Sequence, residues 1–351
     1  MPEVPSVPKP VRLGIAGLTH DHVHWVFRRP AQSDIEIVGM SEADSALVDR
    51  YHQQYGIKKE LVYADLDEML DKTKPEVVAA FGSIYEHLHV VQACATRGIH
   101  VMVEKPLAVS MEHAHQMADL AHQYNIQVLT NYETTWYSSN HTAYEMVHDE
   151  NQFGAVRKVV VHDGHWGPQE IGCSKEFLNW LTDPVLNGGG AVVDFGCYGA
   201  NLITWLMDNQ PPTSVTAVLQ TLKPEIYPRV DDEATIIVTY ENAQGIIQGS
   251  WNWPIDRKDM EIYGETGYFV AVNRTDIRYR QRGDKAEQTR TLELRKAPFD
   301  EPFSWLAAVI RKEITIADND LSSLSNNLVV VQILDASRES ARTGKTIHLA
   351  T

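Results

Sequence analysis

"RLGIAGLTHDHVHW", Arg12 to Trp25, is the stretch on which the fold turns. Its first half is a short apolar run ending on Gly17, the pattern of a buried strand leading into a tight turn. Its second half carries His20, His22 and His24. The turn is therefore either a phosphate-binding turn short of glycines or the opening of a metal site. Against the dinucleotide fingerprint G-x-G-x-x-G, Gly17 holds the first place, while Thr19 and His22 stand in the second and third. A pyrophosphate needs backbone N–H groups and a helix N-terminus, and glycine only where the backbone comes close. A metal site would need further ligands at a distance. "EHLH", Glu86 to His89, offers more histidines, but with fifteen in the chain chance clusters are expected.

Working outward, the first third alternates apolar strands with helical stretches. "VRLGIAG", "IEIVGMSE", "PEVVAAFGS", "HVMVEKP" and "IQVLTNY" read as buried strands, and "SALVDRYHQQYG", "LDEMLDK", "EHLHVVQACATRG" and "MEHAHQMADLAHQYN" as helices between them. That alternation predicts a doubly wound parallel sheet over roughly residues 10–131. After Tyr132 the strands alternate partially in polarity and are joined by turns such as "NAQG" and "GETG". One helix is expected near "GCYGANLITWLMD" and another over "SNNLVVVQILDASRESARTGK". Residues 132–351 thus read as an α+β unit with a large, mostly antiparallel open sheet.

The chain has 351 residues, enough for two cores. Its formal net charge of -16 disfavours nucleic acid and anionic membrane surfaces as partners. No run of eighteen apolar residues occurs, and "MPEVPSVPKP" has no apolar core of a signal peptide and reads as a disordered lead-in. Cys94, Cys173 and Cys197 form no CxxC pair, which fits a reducing, cytoplasmic setting.

Two stretches carry chemistry. In "HVMVEKPLAVS" a buried strand ends at Glu104 and Lys105, at the edge where parallel sheets bind ligands; a lysine there can hydrogen-bond a substrate oxygen and stabilise charge on it. In "NGGGAVVDFGCYGANLITWL", Asp194 and Tyr198 are four apart, so if the segment is helical both side chains lie on one face. A carboxylate and a phenol so placed can hold two hydroxyls or exchange a proton with one. About the right distance after the first strand, Glu42 ends the second. A carboxylate there accepts hydrogen bonds from a ribose diol and repels a 2′-phosphate, favouring NAD over NADP.

On these residues the chain resembles the glucose-fructose oxidoreductase / inositol dehydrogenase / rhizopine-catabolism family, Gfo/Idh/MocA, over almost its whole length. The carriers are Gly17, Glu42, "EKPLA" at 104–108, "GGGAVVDFGCY" at 188–198 and "ASRESARTGK" at 336–345. The resemblance implies a Rossmann domain, a substrate domain whose sheet makes a homodimer or homotetramer, bound NAD, and hydride exchange with a sugar, cyclitol or glycoside-derived hydroxyl or carbonyl. It implies that Lys105 contacts substrate beside the nicotinamide and that Asp194 orients it. Where the family commonly has a histidine as general acid/base, this chain has Tyr198, which serves near neutrality only if a cation such as Lys105 lowers its pKa. His165 in "VVHDGHWG", with His162 behind it, is the replacement candidate. "GSIYEH" falls where the family often has T-P-N-x-x-H, so Gly82, Ser83 and His87 join Gly17, Thr19, Glu42, Glu104 and Lys105 on the cofactor side. "GLTHDHVH" is then an eroded phosphate turn holding no metal, with His20 or His22 adding donors to the phosphates. Tyr132 and Trp136 are expected over the nicotinamide, with Trp136 also against substrate, or else packed at the domain junction. Trp251 and Trp253 are expected against a sugar face, or in the core or an interface. Two further readings share this fold: a glycoside hydrolase or lyase that retains its NAD and works by transient oxidation, and a non-catalytic ligand sensor.

Overall fold

The computed structural model describes residues 9–30 and 34–349. Most of the lead-in expected at the N-terminus, residues 1–8, lies outside them.

The first sheet has six parallel strands: β1 (Val11–Ala16), β2 (Ile35–Ser41), β3 (Val62–Tyr63), β4 (Val77–Ala80), β5 (His100–Glu104) and β6 (Val128–Asn131). Their order, β3-β2-β1-β4-β5-β6, is that of a doubly wound dinucleotide-binding sheet. The two-residue β3 is the strand that the apolar pattern missed. Five helices connect them: α1 (Val23–Phe27), α2 (Ser45–Tyr55), α3 (Leu66–Thr73), α4 (His87–Ala95) and α5 (Met111–Tyr124). The local signals are ordinary. Asp44, Asp65 and Ser110 cap α2, α3 and α5 with their side-chain oxygens, and Gly56 ends α2 in the left-handed region.

Past β6 come α6 (Ser138–Tyr144), β7 (Val156–Gly164), α7 (Lys175–Leu181), α8 (Ala191–Asp194) and α9 (Gly196–Leu206). The strands β8 (Ser214–Gln220), β9 (Glu233–Thr239), β10 (Gln244–Ser250), β11 (Arg257–Gly264), β12 (Gly267–Ala271), β13 (Asp276–Gln281) and β14 (Gln288–Thr291) follow. Helices α10 (Pro302–Ile310) and α11 (Leu324–Thr343) and strand β15 (Ile347–His348) close the described chain. The second sheet runs β14-β13-β12-β11-β7-β10-β9-β8-β15 and is antiparallel except where β7 meets β10. "NAQG" and "GETG" are the β9–β10 and β11–β12 turns, as expected. Helices α6, α7 and α10 were not anticipated.

Strand alternation gives the second sheet one packed face. Val159, Val161, Ile236, Val238, Ile247, Met260 and Ile262 are buried there in one core with α9 and α11. Helix α10 does something else. Phe303, Trp305, Leu306, Ala307 and Val309 join the core of the first sheet, beside Val11, Ile15 and Met40.

Candidate active site

β5 delivers Lys105 to the end of the first sheet, where its Nζ donates to Asp194 Oδ1 at 2.5 Å and to the Asp194 carbonyl at 3.0 Å. Asp194 ends α8, a single short turn held from below by Asp231. The Asp231 carboxylate accepts the Gly190 and Val192 N–H groups at 2.9 and 2.7 Å, and its carbonyl accepts that of Ala191. A side chain on Gly190 would place its Cβ 1.8 Å from the Asp231 carbonyl oxygen, so the motif needs glycine at this position. The other carboxylate oxygen of Asp194 accepts the Trp251 indole N–H at 2.9 Å. Burial works against both charges. The neighbouring charge and hydrogen bond prevail, holding the Asp194 carboxyl below its ordinary value and the Lys105 ammonium above its own.

Lys105 and Asp194 line a cavity of about 430 Å³ with Tyr198, His165, Glu133 and Lys258. His165 Nδ1 accepts the Gly167 N–H at 2.9 Å, so the ring's own proton is on Nε2. Burial pulls its pKa down against the charge of Asp194, so it is a neutral imidazole. Tyr198 departs from the sequence expectation. Lys105 and Lys258 lie over its ring at 5.0 and 4.5 Å from the centroid, and neither donates to its hydroxyl. Burial first, then the acids Glu133 and Asp163, push its pKa well above the ordinary tyrosine value, so the phenol is a donor and not a base.

A second crevice, of about 310 Å³, is lined by Gly17, Thr19, Glu42, Ala64, Leu66 and Gly82, among others. Gly17 has φ +77°, and a Cβ there would stand 2.9 Å from the Gly82 nitrogen. Glu42 is fixed by the Leu18 N–H at 3.0 Å and the Asp44 N–H at 2.9 Å, leaving a positioned carboxylate at the rim. Ser83 turns inward, where its N–H and hydroxyl both reach Glu86 at 2.8 Å. His87 is buried; its Nδ1 lies 3.1 Å from the Leu107 carbonyl, and burial lowers its pKa to about 4.

One expectation is corrected, and for Trp136 the packed alternative is the one found. His20 does not face outward as a phosphate donor. It is buried against Phe177 and Trp180, with ring centroids at 4.7 and 5.3 Å. Trp136 does not line the Lys105 cavity. Its ring packs on Trp305 in the first core, and its Nε1 donates to Asn131, which in turn holds Glu104. Trp251 and Trp253 also separate: Trp251 is the buried support of Asp194, while Trp253 lies near His162 and Arg257.

His20, His22 and Glu104 do converge, with donor atoms within 4.8 Å of one another. Their hydrogen bonds do not fit an ion. His20 Nδ1 accepts the His22 N–H at 3.1 Å, so its proton is on Nε2 and neither ring nitrogen offers a free lone pair. His22 Nδ1 is meanwhile 2.8 Å from Glu104 Oε2, and its ring stacks on Trp25. Sequence reasoning missed Lys258, Glu133 and Asp163. Lys258 donates to Glu133 Oε2, and Tyr137 donates to Glu133 Oε1 at 2.7 Å.

Comparison with known proteins identifies the family. Residues 11–132 match the oxidoreductase family with an NAD-binding Rossmann fold, and residues 141–270 match the GFO/IDH/MocA C-terminal domain. The chain belongs to the Gfo/Idh/MocA family of oxidoreductases. It is 25% identical over 201 residues to trans-1,2-dihydrobenzene-1,2-diol dehydrogenase of Xenopus tropicalis, covering 57% of each chain. It is 24% identical over 207 residues to 1,5-anhydro-D-fructose reductase of Ensifer adhaerens, covering 58% of this chain and 59% of that one. The alignments thus span a little over half the length of these curated relatives. An inositol dehydrogenase homolog from Azotobacter vinelandii, solved with NAD+, shares the fold at a TM-score of 0.82 and 17% identity, over 98% of both chains. No described helix is long and apolar enough to cross a membrane.

Proposed function

We propose that the chain is an NAD-dependent oxidoreductase acting on a secondary hydroxyl, or the matching carbonyl, of a sugar, cyclitol or other polyol. The observation that carries this reading is the Lys105–Asp194 pair inside a cavity at the strand ends, beside a crevice with a positioned carboxylate, Glu42. When bound, NAD supplies a hydride acceptor or donor at its nicotinamide. The residues at hand do the rest. Lys105 is a fixed cation for charge developing on the substrate oxygen. Asp194 keeps Lys105 in place and, with the neutral His165, offers acceptors and a donor to neighbouring hydroxyls. Glu42 suits a free ribose diol and repels a 2′-phosphate, which favours NAD over NADP. The diol and anhydro-sugar substrates named for the relatives are of the same chemical kind. Three cysteines without a disulfide suit a reducing cytoplasm. The outer face of the second sheet, with Val218 and Tyr263 exposed, suits pairing of copies into a dimer or tetramer.

The test is a fluorescence titration with NADH and NADPH, followed by a panel of sugars and cyclitols read by nicotinamide absorbance. Tighter binding of NADH and turnover of a polyol are expected. Absence of binding by either dinucleotide would refute the reading.

A further inference from the structure

β11 lies antiparallel beside β7, and the register pairs Lys258 with Asp163 and Asp259 with His162. Alternation sends the two pairs to opposite faces. His162 and Asp259 face outward and bond at 3.0 Å. Asp163 lies on the inner face with Val159 and Val161 and is 2% exposed. Both of its carboxyl oxygens are buried and, among the described residues, have no hydrogen-bond partner. The nearest cation is the Lys258 ammonium, 4.0 Å from Oδ1. Lys258 itself lines the Lys105 cavity and is anchored by Glu133.

We propose that Lys258 and Asp163 form the proton relay of this site, Lys258 as the catalytic residue at the substrate oxygen and Asp163 as the buried acid that acts through it. The inference rests on the oxidoreductase reading above and supplies the proton acceptor for oxidation that Tyr198, held as a phenol, does not. In reduction the carbonyl carbon accepts a hydride from the reduced nicotinamide, and the π-electron pair moves to oxygen. That oxygen takes a proton from the Lys258 ammonium. Lys258 then takes the Asp163 carboxyl proton, and the Asp163 carboxylate is reprotonated from solvent. Oxidation runs the same transfers in reverse, so a hydroxyl proton leaves through Lys258 to an ionised Asp163.

The charges around Asp163 suit a stored proton. Lys258 and Lys105 face it, but so do Glu133, Asp194, Cys197, Tyr198 and Tyr137. Burial, reinforced by Glu133 and Asp194, outweighs the lysines and raises its pKa well above the ordinary carboxylate value, while Lys258 is held as a cation. Reduction should therefore slow, and oxidation quicken, as pH rises through the Asp163 pKa.

Two conservative variants test this with cofactor titration alongside. K258R keeps a cation whose proton is not released in the working range. It should lower kcat roughly 100-fold, with KM and NADH affinity changed by less than about threefold. D163N should lower kcat by about tenfold and remove the pH limb assigned to Asp163. Infrared difference spectra of wild type minus D163N should show the carbonyl band of a protonated carboxylic acid at neutral pH, whether or not a substrate is present. A turning-over wild type with K258R and D163N unchanged in kcat and pH profile would overturn the relay and leave the oxidoreductase reading intact. So would absence of the infrared band. A wild type that binds neither dinucleotide would overturn both.

Discussion

Lys105 and Lys258 stand over the same tyrosine ring, yet they are placed by different means. Lys105 comes from the end of a buried parallel strand, and its partner Asp194 belongs to a glycine-rich motif that closes on Asp231. Lys258 comes from the start of an antiparallel strand, and its partners come from two directions: Asp163 on the neighbouring strand and Glu133 from beyond β6. The first arrangement gives one cation one carboxylate. The second gives one cation two acids shifted in opposite directions: Lys258 holds Glu133 well below its ordinary value, while burial pushes Asp163 well above its own. Holding charge and supplying a proton are thus separated between two lysines in one cavity.

The largest test of this contrast is Lys105→Met. With its fixed cation gone, kcat should fall by about 10²–10³ or more while NADH still binds. If Lys105→Met retained turnover, the two lysines would have exchanged roles. Trp251→Phe comes next. It removes the N–H that holds Asp194 Oδ2 but keeps a ring beside Tyr227. A hydrogen bond to a charged group contributes about 1.5–3 kcal/mol, so roughly tenfold in kcat and a lower Tm are expected. Calorimetry and steady-state kinetics on one preparation would show whether both fall together.

Glu133→Gln sharpens the other side. Lys258 and Tyr137 bring the Glu133 pKa to about 2 from an ordinary 4.5, against burial. A lowered carboxyl pKa adds stability that is present above pH 4.5 and lost as pH falls toward about 2. Thermal melts across that window should show a shallower acid loss in the variant. The difference should be small, because the Glu133 side chain is 37% exposed. The least effect belongs to Tyr198→Phe. A phenol that stays protonated carries no pH limb, so kcat should change less than about threefold and the profile not at all. Loss of a limb in this variant would return the proton to Tyr198 and erase the contrast.

Much of the first lysine's setting was legible. Apolar runs, capping residues and glycine placed the parallel strands, "EKP" marked the strand end, and "GGGAVVDFGCY" marked the partner. The second lysine was not, for a physical reason. "RKDMEIYG" opens on charged residues, but which of them point inward depends on the register of β11 against β7, and a shift of one residue would reverse it. Asp163 hid in the same way, beside the more conspicuous His162 and His165. Trp136 carries two readings and His20 misleads, because an aromatic ring after a strand reads alike whether it faces a crevice or a core. Only α10 and α7, neither evident from local pattern, decide that Trp136 meets Trp305 and His20 meets Phe177.

Helix α10 also bears on how the molecule comes into being. It covers apolar residues of the first sheet, including Val11, Ile15 and Met40, but follows them in the chain by more than 250 residues. A ribosome will have finished β6 long before it releases Pro302–Ile310, so the nucleotide-binding sheet waits, partly uncovered, through most of translation. An N-terminal fragment cut after β6 should accordingly be sticky and poorly soluble. Supplying residues 302–310 in trans, or grafting them to the fragment's end, should bring it back into solution.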